Sequence, residues 1–361
     1  MPTKRAFVRL TSYKSLFSST AYFGARVALF HSVTRGTKLG GGALVLAAVC
    51  LGGWYLAGDS ALSTSLRRHL PRSVRKFFTP KPSTSPRMAN LPNLYLWAWE
   101  RPEDLQFLSN RKVGVAFLAK TISLAPPLAA TPPKSGAAMD PPFFASVRVQ
   151  VRPRLQPLRI NPGTPLMAVV RIESVRGAFP DSYSIQTAPA TTLSQQDLSA
   201  FAAEIANASQ ITGVTALQID FDATLSEHAL YRDLLIEVRK LLPPDFPLSI
   251  TALASWCIGD RWLDQLPPGT IDEAVPMLFR MGQGTLEVTH YLANGNTFTV
   301  SVCTTSLGLS TDEPFSRGIL SGETEVGFDS KQTRVYIFSP KAWDSDAANP
   351  LLKGLETWHE K

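Results

Sequence analysis

The sequence predicts an α/β fold: a (β/α)8 TIM-type barrel with a long insertion between strands 2 and 3, preceded by an N-terminal membrane helix. Short apolar segments recur eight times after residue 93, and helical patterns separate several of them. An uncharged run of twenty residues lies upstream of these segments. Hydrophobic residues make up 44% of the chain and charged residues 18%, which is typical of a packed globular protein and excludes a disordered one.

The N-terminal region combines basic residues with one long apolar segment. After a basic N-terminal segment, 1–38, residues 39–58 (LGGGALVLAAVCLGGWYLAG) carry no charge over about the length that crosses a bilayer. We therefore predict a transmembrane signal anchor at 39–58, with a cleaved signal or a misassigned start codon upstream of Met88 as alternatives. Residues 59–93 are a basic, Pro- and Ser-rich linker.

Charge is distributed unevenly along the chain. Residues 1–88 carry fourteen Lys and Arg and one acid, whereas the remainder carries twenty-two basic and twenty-eight acidic residues. The net charge of +7 therefore indicates no nucleic-acid partner for the folded part. The acid-free leader before residue 39 favours an extracytoplasmic barrel, while five basic residues in 59–78 against three in 19–38 favour the opposite side. We expect a membrane-anchored, extracytoplasmic barrel.

The barrel domain is expected over 94–345, followed by a C-terminal tail at 346–361. Each predicted strand is a short apolar segment, and in chain order the eight segments are LYLWAWE (94–100), VGVAFLA (113–119), LMAVVRIE (166–173), ALQIDFDA (216–223), LSITALAS (248–255), IDEAVPMLF (271–279), TFTVSVCT (297–304) and RVYIFSP (334–340).

Two of the connections have the hydrophobic spacing of helices, 194–209 and 226–242. Ser226 is the expected N-cap of the second helix. Residues 120–165 are rich in proline and contain SVRVQVRPRLQPLRI, which alternates like a hairpin. We interpret this segment as an insertion on the barrel, because it has too few apolar residues for a core of its own.

The cysteines and the common cofactor motifs point to no prosthetic group. Cys50, Cys257 and Cys303 match neither a disulfide framework nor a zinc site in number and spacing. The chain contains no HExxH, no CxxC and no phosphate-binding glycine loop. We therefore predict no cofactor and no metal.

The segment LQIDFDA, 217–223, carries the strongest functional signal. Strict alternation places Leu217, Ile219 and Phe221 on the outer face of a barrel strand, and Gln218, Asp220 and Asp222 on the inner face. Inward polar residues near the C-terminal end of a barrel strand usually line the active site. The alternatives are buried salt bridges with arginines at other strand ends, Arg171 or Arg280, and a metal held by the two aspartates.

Seven motifs resemble a bacterial domain-of-unknown-function family numbered 3142. They cover most of 94–345 and are LYLWAWERPEDL, VGVAFLAKTI, RPRLQPL, LQIDFDA, PLSITALASWC, DEAVPMLFRMG and STDEP. This resemblance implies no function.

ALQIDFDA also resembles, more distantly, the fourth-strand signature of chitinase-type (family eighteen-like) glycoside hydrolases. In that signature Asp, Asp and a catalytic Glu alternate, and here Gln218, Asp220 and Asp222 take those positions. VPMLFRMG resembles the family's sixth-strand Met-x-Tyr-Asp motif, with Phe279 at the tyrosine and Arg280 at the aspartate. Because the glutamate and the tyrosine hydroxyl are both missing, the resemblance implies a sugar-handling barrel rather than a substrate-assisted chitinase.

Further candidate residues lie at the predicted strand ends. Trp97 and Trp99 end the first strand, and tryptophans near one rim suit stacking on sugar rings, with core packing as the alternative for each. Arg280 would orient a carboxylate or stabilise substrate charge. The predicted substrate-binding residues are Glu100, Arg171, Glu173, Gln218, Trp256, Arg280, Asp312, Glu313 and Trp343.

These observations lead to two functional hypotheses. The first is a membrane-anchored, glycoside-hydrolase-like barrel that acts on an envelope or extracellular carbohydrate, with Asp222 as general acid/base and Asp220 tuning its pKa. The second is a non-catalytic barrel of the same fold that binds a polysaccharide or a protein. Catalysis requires two carboxyl groups facing one open cleft, whereas a binding barrel would show aromatic residues along the cleft and aspartates neutralised by arginines.

Overall fold

A computed structural model describes residues 84–108, 112–125, 148–174, 193–328 and 331–360. These ranges belong to the second of two compact units, 1–78 and 79–361, into which the chain divides. The predicted anchor at 39–58 lies outside the described residues and stays a prediction. None of the helices within the described ranges combines the length and apolar character needed to span a bilayer.

The described residues form eleven strands and five α-helices. The strands are β1 (Leu94–Ala98), β2 (Glu103–Asp104), β3 (Val113–Ala125), β4 (Arg148–Pro153), β5 (Leu158–Arg159), β6 (Leu166–Ser174), β7 (Val214–Asp220), β8 (Leu248–Leu253), β9 (Glu273–Met277), β10 (Ser306–Ser310) and β11 (Arg334–Phe338). The α-helices are α1 (Gln195–Ala206), α2 (His228–Leu241), α3 (Thr285–Ala293), α4 (Pro314–Ser321) and α5 (Ser345–Glu360).

Eight parallel strands form a closed ring. Neighbours in the ring follow the order β1, β3, β6, β7, β8, β9, β10 and β11, and β1 pairs with both β3 and β11, which closes it. The five α-helices follow β6, β7, β9, β10 and β11, and a short 3-10 turn, Trp262–Gln265, follows β8. The fold is therefore a TIM-type α/β barrel, as the sequence predicts.

The helices begin where local capping allows. The side chain of Ser194 accepts a hydrogen bond from the backbone N–H of Asp197, which caps α1. Before α2, a capping box joins Thr224 to Glu227, whose carboxylate accepts the Thr224 backbone N–H at 2.8 Å. The predicted N-cap of this helix, Ser226, is therefore wrong, because a 3-10 turn, Leu225–Glu227, precedes α2.

The insertion between the second and third barrel strands carries a hairpin, but not the predicted one. β4 pairs antiparallel with the C-terminal half of β3, residues 120–125, which begin the predicted insertion, rather than with residues 154–160 of the alternating segment. β3 and β6 remain paired up to Leu124 and Ser174, so the wall formed by β4, β3 and β6 extends past the end of the neighbouring β7. The tip of the insertion, 126–147, lies outside the described residues.

The predicted seventh strand, 297–304, is wrong. This segment is irregular and contains a 3-10 turn, Ser301–Cys303, and the barrel strand is β10 immediately after it. The apolar residues of 297–304 fill the layer outside the strands instead: Phe298 and Val300 are buried there. Cys303 is also buried, and its sulfur is bonded to that of Cys257, with the α-carbons 5.8 Å apart. The number and spacing of the three cysteines did not indicate this disulfide.

The segment predicted as a C-terminal tail, 346–361, contains most of α5. Ala348, Leu352 and Leu355 are buried on one side of this helix and belong to the main hydrophobic core. Their spacing places them on one helical face, so the helix covers the barrel rather than extending from it as a tail.

Side chains of the barrel strands divide between an outer layer and the lumen. The outer layer includes Leu217, Ile219 and Phe221 of the β7 region, as the alternation predicts. A separate cluster fills the lumen and consists of Tyr95, Trp97, Ala116, Met167, Val169, Ala216, Val275 and Tyr336. Glycine makes room for these rings: a Cβ at Gly114 would lie 2.3 Å from the Tyr95 ring, and one at Gly308 would lie 3.0 Å from the Trp97 ring.

A buried ion pair also lies on inward-facing strand positions. Glu273 accepts hydrogen bonds from Arg334 at 2.7 Å and from the hydroxyl of Tyr336 at 2.6 Å. Arg334 donates in addition to the carbonyls of Met88 and Pro92. This ion pair therefore connects β9 and β11 to the residues that enter the first strand.

Candidate active site

A cavity of about 610 Å³ opens at the C-terminal ends of the barrel strands, and we call it the mouth cavity. Its lining comes from residues at or just after the ends of β1, β6, β7, β8, β9 and β11. The lining residues are Trp97, Trp99, Arg101, Arg171, Asp220, Asp222, Thr251, Leu253, Ala254, Ser255, Met277, Phe279, Arg280, Met281, Gly284, Val288, Phe338 and Pro340.

Both aspartates of the LQIDFDA segment line the mouth cavity. Asp220 is the last residue of β7 and is only 9% exposed, whereas Asp222 is exposed at the following inward position. Thr251 on the adjacent β8 donates a hydrogen bond to Asp220 Oδ1 at 2.7 Å. The predicted inward orientation of the two carboxyl groups is confirmed.

Both aspartates hold protons more tightly than free aspartate does. Burial raises the pKa of Asp220 to about 6, with a further upward contribution from the neighbouring Asp222 charge, against the Thr251 hydrogen bond and Arg171, which lower it. Enclosure by the cavity wall also raises the pKa of Asp222, against a lowering effect of Arg171. A carboxyl group that retains its proton towards neutral pH is suited to general acid catalysis.

Arg171 is the cation that acts on this pair. It stands beside Asp220 in the register of β6 and β7, and its guanidinium lies over the Trp99 ring, 5.6 Å from the ring centroid. Its Nε lies 3.1 Å from Glu173. Within the described residues neither aspartate has an ion-pair partner within 4.0 Å, so the salt-bridge alternative is not what the structure shows.

Gln218 lies beneath the cavity rather than in its lining. It is fully buried, accepts a hydrogen bond from Trp97 Nε1 at 2.8 Å and donates one to Ser249 at 3.1 Å. Ser249 in turn donates to Glu273 at 3.1 Å. Gln218 was predicted to bind substrate, but these contacts make it a support that holds the Trp97 indole at the cavity floor.

Aromatic rings form much of the cavity wall. The rings of Phe279 and Phe338 stack in parallel, with centroids 5.6 Å apart, and Trp99 meets Phe338 edge to face at 6.4 Å. Trp97 meets Phe279 edge to face at 6.0 Å. Such a wall can contact the apolar faces of sugar rings.

Arg280 lines the cavity after β9 and is held by two carboxylates. Its backbone N–H donates to Glu313 Oε1 at 2.8 Å, and its Nη2 lies 3.3 Å from Asp312 Oδ2. Asp312 also accepts a hydrogen bond from Ser310. Asp312 and Glu313 are therefore brought to the site as predicted, but they contact Arg280 and do not line the cavity.

Glu100 and Glu173 likewise do not line the cavity. Glu100 lies 2.8 Å from Arg152 on β4, and Glu173 pairs with Arg171. Each carboxylate has an arginine partner on the wall of β4, β3 and β6, so neither is presented to the cavity as predicted.

The predicted rim positions of Trp256 and Trp343 are wrong. Trp256 is 2% exposed and packs in the outer layer, with its ring centroid 5.2 Å from that of Trp262 and 5.5 Å from that of His228. Trp343 is 5% exposed and donates its indole N–H to the carbonyl of Trp97 at 2.9 Å. Both indoles are therefore buried in the hydrophobic core and do not line the mouth cavity.

Several lining residues were not predicted. Thr251 occupies an inward position of β8 beside Asp220, and the alternation of LSITALAS could have indicated it. Phe338 ends the eighth barrel strand, and alternation along that strand could also have indicated it. Met281 lies beyond β9, and no sequence pattern marked it. Among the described residues no three His, Cys, Asp or Glu side chains are grouped as metal ligands.

Comparison with known proteins finds matches among solved structures only. No family model and no curated protein match this sequence. A solved structure titled "Crystal structure of putative Chitinase A from Streptomyces coelicolor" matches with a TM-score of 0.35 and 15% identity, over 55% of this chain and 74% of that chain. A match at that distance carries no argument about fold or function.

The strand arrangement and the cavity residues define the class of this protein. The chain is a TIM-type α/β barrel with a carboxylate pair and an aromatic wall at its C-terminal mouth. The resemblances to the domain family numbered 3142 and to chitinase-type hydrolases stay predictions.

Proposed function

We propose that this chain is a membrane-anchored, glycoside-hydrolase-like enzyme that acts on an envelope or extracellular carbohydrate by carboxylate acid/base catalysis. The observation that carries the proposal is the pair Asp220 and Asp222, which face one open cavity at the C-terminal mouth of the barrel and both have raised pKa values. Carboxyl pairs whose environments keep one proton available are the usual acid/base device of glycoside hydrolysis.

The two carboxyl groups have different surroundings and so different roles. Asp222 is exposed to the cavity and would give its proton to the glycosidic oxygen as the bond to the sugar carbon breaks. A water molecule then forms the new bond to that carbon and returns a proton to Asp222, which acts as the base in this half of the reaction. Asp220 is buried and is held by Thr251, and burial together with the neighbouring Asp222 charge raises its pKa. Arg171 limits that effect, because its charge favours the ionised form of both groups.

A second candidate is a non-catalytic barrel that binds a polysaccharide or a protein, and the aromatic wall favours it. The rings of Trp99, Phe279 and Phe338 can bind apolar faces of a ligand but supply no acid, base or nucleophile. The carboxylate pair favours catalysis over binding alone, because Arg171 does not neutralise it and burial keeps both pKa values raised.

The Cys257–Cys303 disulfide supports an extracytoplasmic position for the barrel, because disulfides form and persist in oxidising compartments. The uncharged segment 39–58 would supply the anchor. The full chain should then sediment with membranes and be cleaved by protease added outside the cell. Recovery of the chain with its N-terminus intact in the soluble fraction would contradict the anchor.

The catalytic proposal is tested with the full chain and a panel of envelope and extracellular polysaccharides. Asp222→Asn keeps the size of the side chain but cannot deliver a proton, so the rate of glycan cleavage should fall on the order of 10²–10⁴-fold. Asp245→Asn, which removes an exposed carboxylate in the turn after α2, is the matched control.

Three outcomes separate the candidates. Cleavage by wild type and its loss in Asp222→Asn supports the enzyme. A fully active Asp222→Asn chain would show that this carboxyl group is not the acid. Glycan binding without cleavage, equal in wild type and Asp222→Asn, would establish the binding barrel instead.

A further inference from the structure

Arg280 has a backbone conformation that sets it apart. Its φ angle is 52°, and among the described residues it is the only one other than glycine with a positive φ. A long side chain in the left-handed region is unfavourable by on the order of 1 kcal/mol and persists where surrounding contacts impose it. Here the Glu313 carboxylate accepts the Arg280 backbone N–H, which ties this conformation to the loop after β10.

The three arginines that line the mouth cavity differ in how far other residues already occupy their guanidinium groups. Arg101 uses its guanidinium internally, since it donates to Glu103 at 2.7 Å and to the carbonyls of Ser339 and Pro340. The charge of Arg171 lowers the pKa of both aspartates. Arg280 follows β9, two strands along the ring from β7, and is not among the charges that shift the pKa of either aspartate.

The Arg280 guanidinium remains available to a ligand. Its side chain is 59% exposed, and its contact with Asp312 involves one nitrogen, Nη2, at 3.3 Å. A guanidinium carries five N–H donors, so most of its donors are left for another partner. Exposed ion pairs of this kind contribute only about 0–1 kcal/mol, so an incoming anion can compete with Asp312.

An apolar surface lies directly beside this cation. The Arg280 guanidinium carbon is 5.7 Å from the centroid of the Phe338 ring, which stacks in parallel on Phe279. The two phenyl rings offer a face to a sugar ring but no hydrogen bond. Arg280 is therefore the residue beside these rings that can donate hydrogen bonds to polar groups of a ligand.

We propose that Arg280 is a subsite for the carboxylate of an acidic sugar unit, so that the substrate of this barrel is a uronic-acid-type glycan. The acidic ring lies against Phe338 and Phe279, and its planar carboxylate receives two parallel N–H groups from Arg280. The proposal deepens the proposed function and rests on it, because it names the class of glycan that the same cavity binds.

The experiment measures binding rather than cleavage. The full chain carrying Asp222→Asn, which keeps the ligand intact, is titrated with several uronic-acid oligosaccharides, each paired with its carboxyl-reduced, neutral counterpart. At least one acidic member should bind more tightly than its counterpart by about 10- to 100-fold, and added salt should narrow the difference. Arg280→Met should remove this preference, and Arg280→Lys should restore part of it, because lysine keeps the charge but not the two parallel donors.

Arg317→Met is the matched control, because Arg317 is an exposed arginine on α4 outside the cavity lining, and its loss should leave the preference unchanged. Equal binding of the acidic and neutral partners, or a preference that survives Arg280→Met, overturns the subsite while leaving the proposed function in place. Binding of sulfated or phosphorylated glycans alone overturns the carboxylate assignment. If no glycan of any charge binds, the subsite and the proposed function fail together.

Discussion

Replacing Asp220 by asparagine should stabilise this protein, and the gain should depend on pH. The side chain is 9% exposed, and its pKa is raised from 3.8 to about 6, first by burial and then by the Asp222 charge. Well below pH 3.8 the group is protonated in both the folded and the unfolded chain. As the pH rises through the interval from 3.8 to about 6 the unfolded chain ionises first, so the folded state loses stability, and above that interval the full cost is present.

The size of the effect follows from the pKa difference. A shift of about two units corresponds to about 3 kcal/mol, at 1.36 kcal/mol per unit. Asparagine carries no charge at any of these pH values, and its Oδ1 can still accept the Thr251 hydrogen bond. The free energy of unfolding of Asp220→Asn should therefore exceed that of wild type only slightly near pH 4 and by up to about 3 kcal/mol at pH 7.

Urea unfolding of the full chain at pH 4, 5, 6 and 7 measures this difference. Asp245→Asn, which removes an exposed carboxylate, controls for the change in net charge. In an Asp222→Asn background the gain should be smaller, because the upward contribution of the Asp222 charge to the Asp220 pKa has gone. A gain that is the same at all four pH values, or a loss of stability at pH 7, would refute the reasoning.

Three further substitutions test the division between lumen, wall and core. Glu273→Gln should lower the free energy of unfolding by about 3–5 kcal/mol in urea titrations, because it leaves the buried Arg334 guanidinium without its charged partner; an unchanged value would show the pair to be dispensable. Trp99→Ala should weaken glycan binding with little loss of stability, since the ring borders the cavity. Trp256→Ala should instead lower the free energy of unfolding by about 3–5 kcal/mol, because the Trp256 indole is buried in the hydrophobic core. Equal stability losses in the two tryptophan variants would contradict the assignment.

Alternation was the most informative sequence signal for the barrel. The period of two in LQIDFDA placed Asp220 and Asp222 in the lumen, because a strand with one face against helices leaves no other orientation for its polar residues. β10 also alternates, with Leu307 and Leu309 in the outer layer, but its sequence SLGLS was not predicted as a strand because it has a glycine and no β-branched residue. The more strand-like TFTVSVCT lies next to it but fills the outer layer.

The misplaced site residues share a physical cause. Position after a strand predicts that a residue is near the mouth, but not whether its side chain turns inward. Trp343 follows β11 yet packs under Trp97, because the chain bends towards α5. Likewise the Cys257–Cys303 disulfide joins two segments that are 46 residues apart in sequence, one after β8 and one before β10, and the side-by-side packing of β8, β9 and β10 brings them together.

Closure of the ring by β1 and β11 has a consequence for how the chain is made. β1 lies at the start of the barrel and needs β11, its last strand, before both of its edges are paired. Arg334, at the start of β11, also supplies the donors for the carbonyls of Met88 and Pro92. A ribosome therefore releases nearly the whole barrel before its first strand has both neighbours, and during that time unpaired strand edges are exposed to other chains. A chain that stops before Arg334 lacks β11, never completes the ring and would be a substrate for aggregation and proteolysis rather than a smaller barrel.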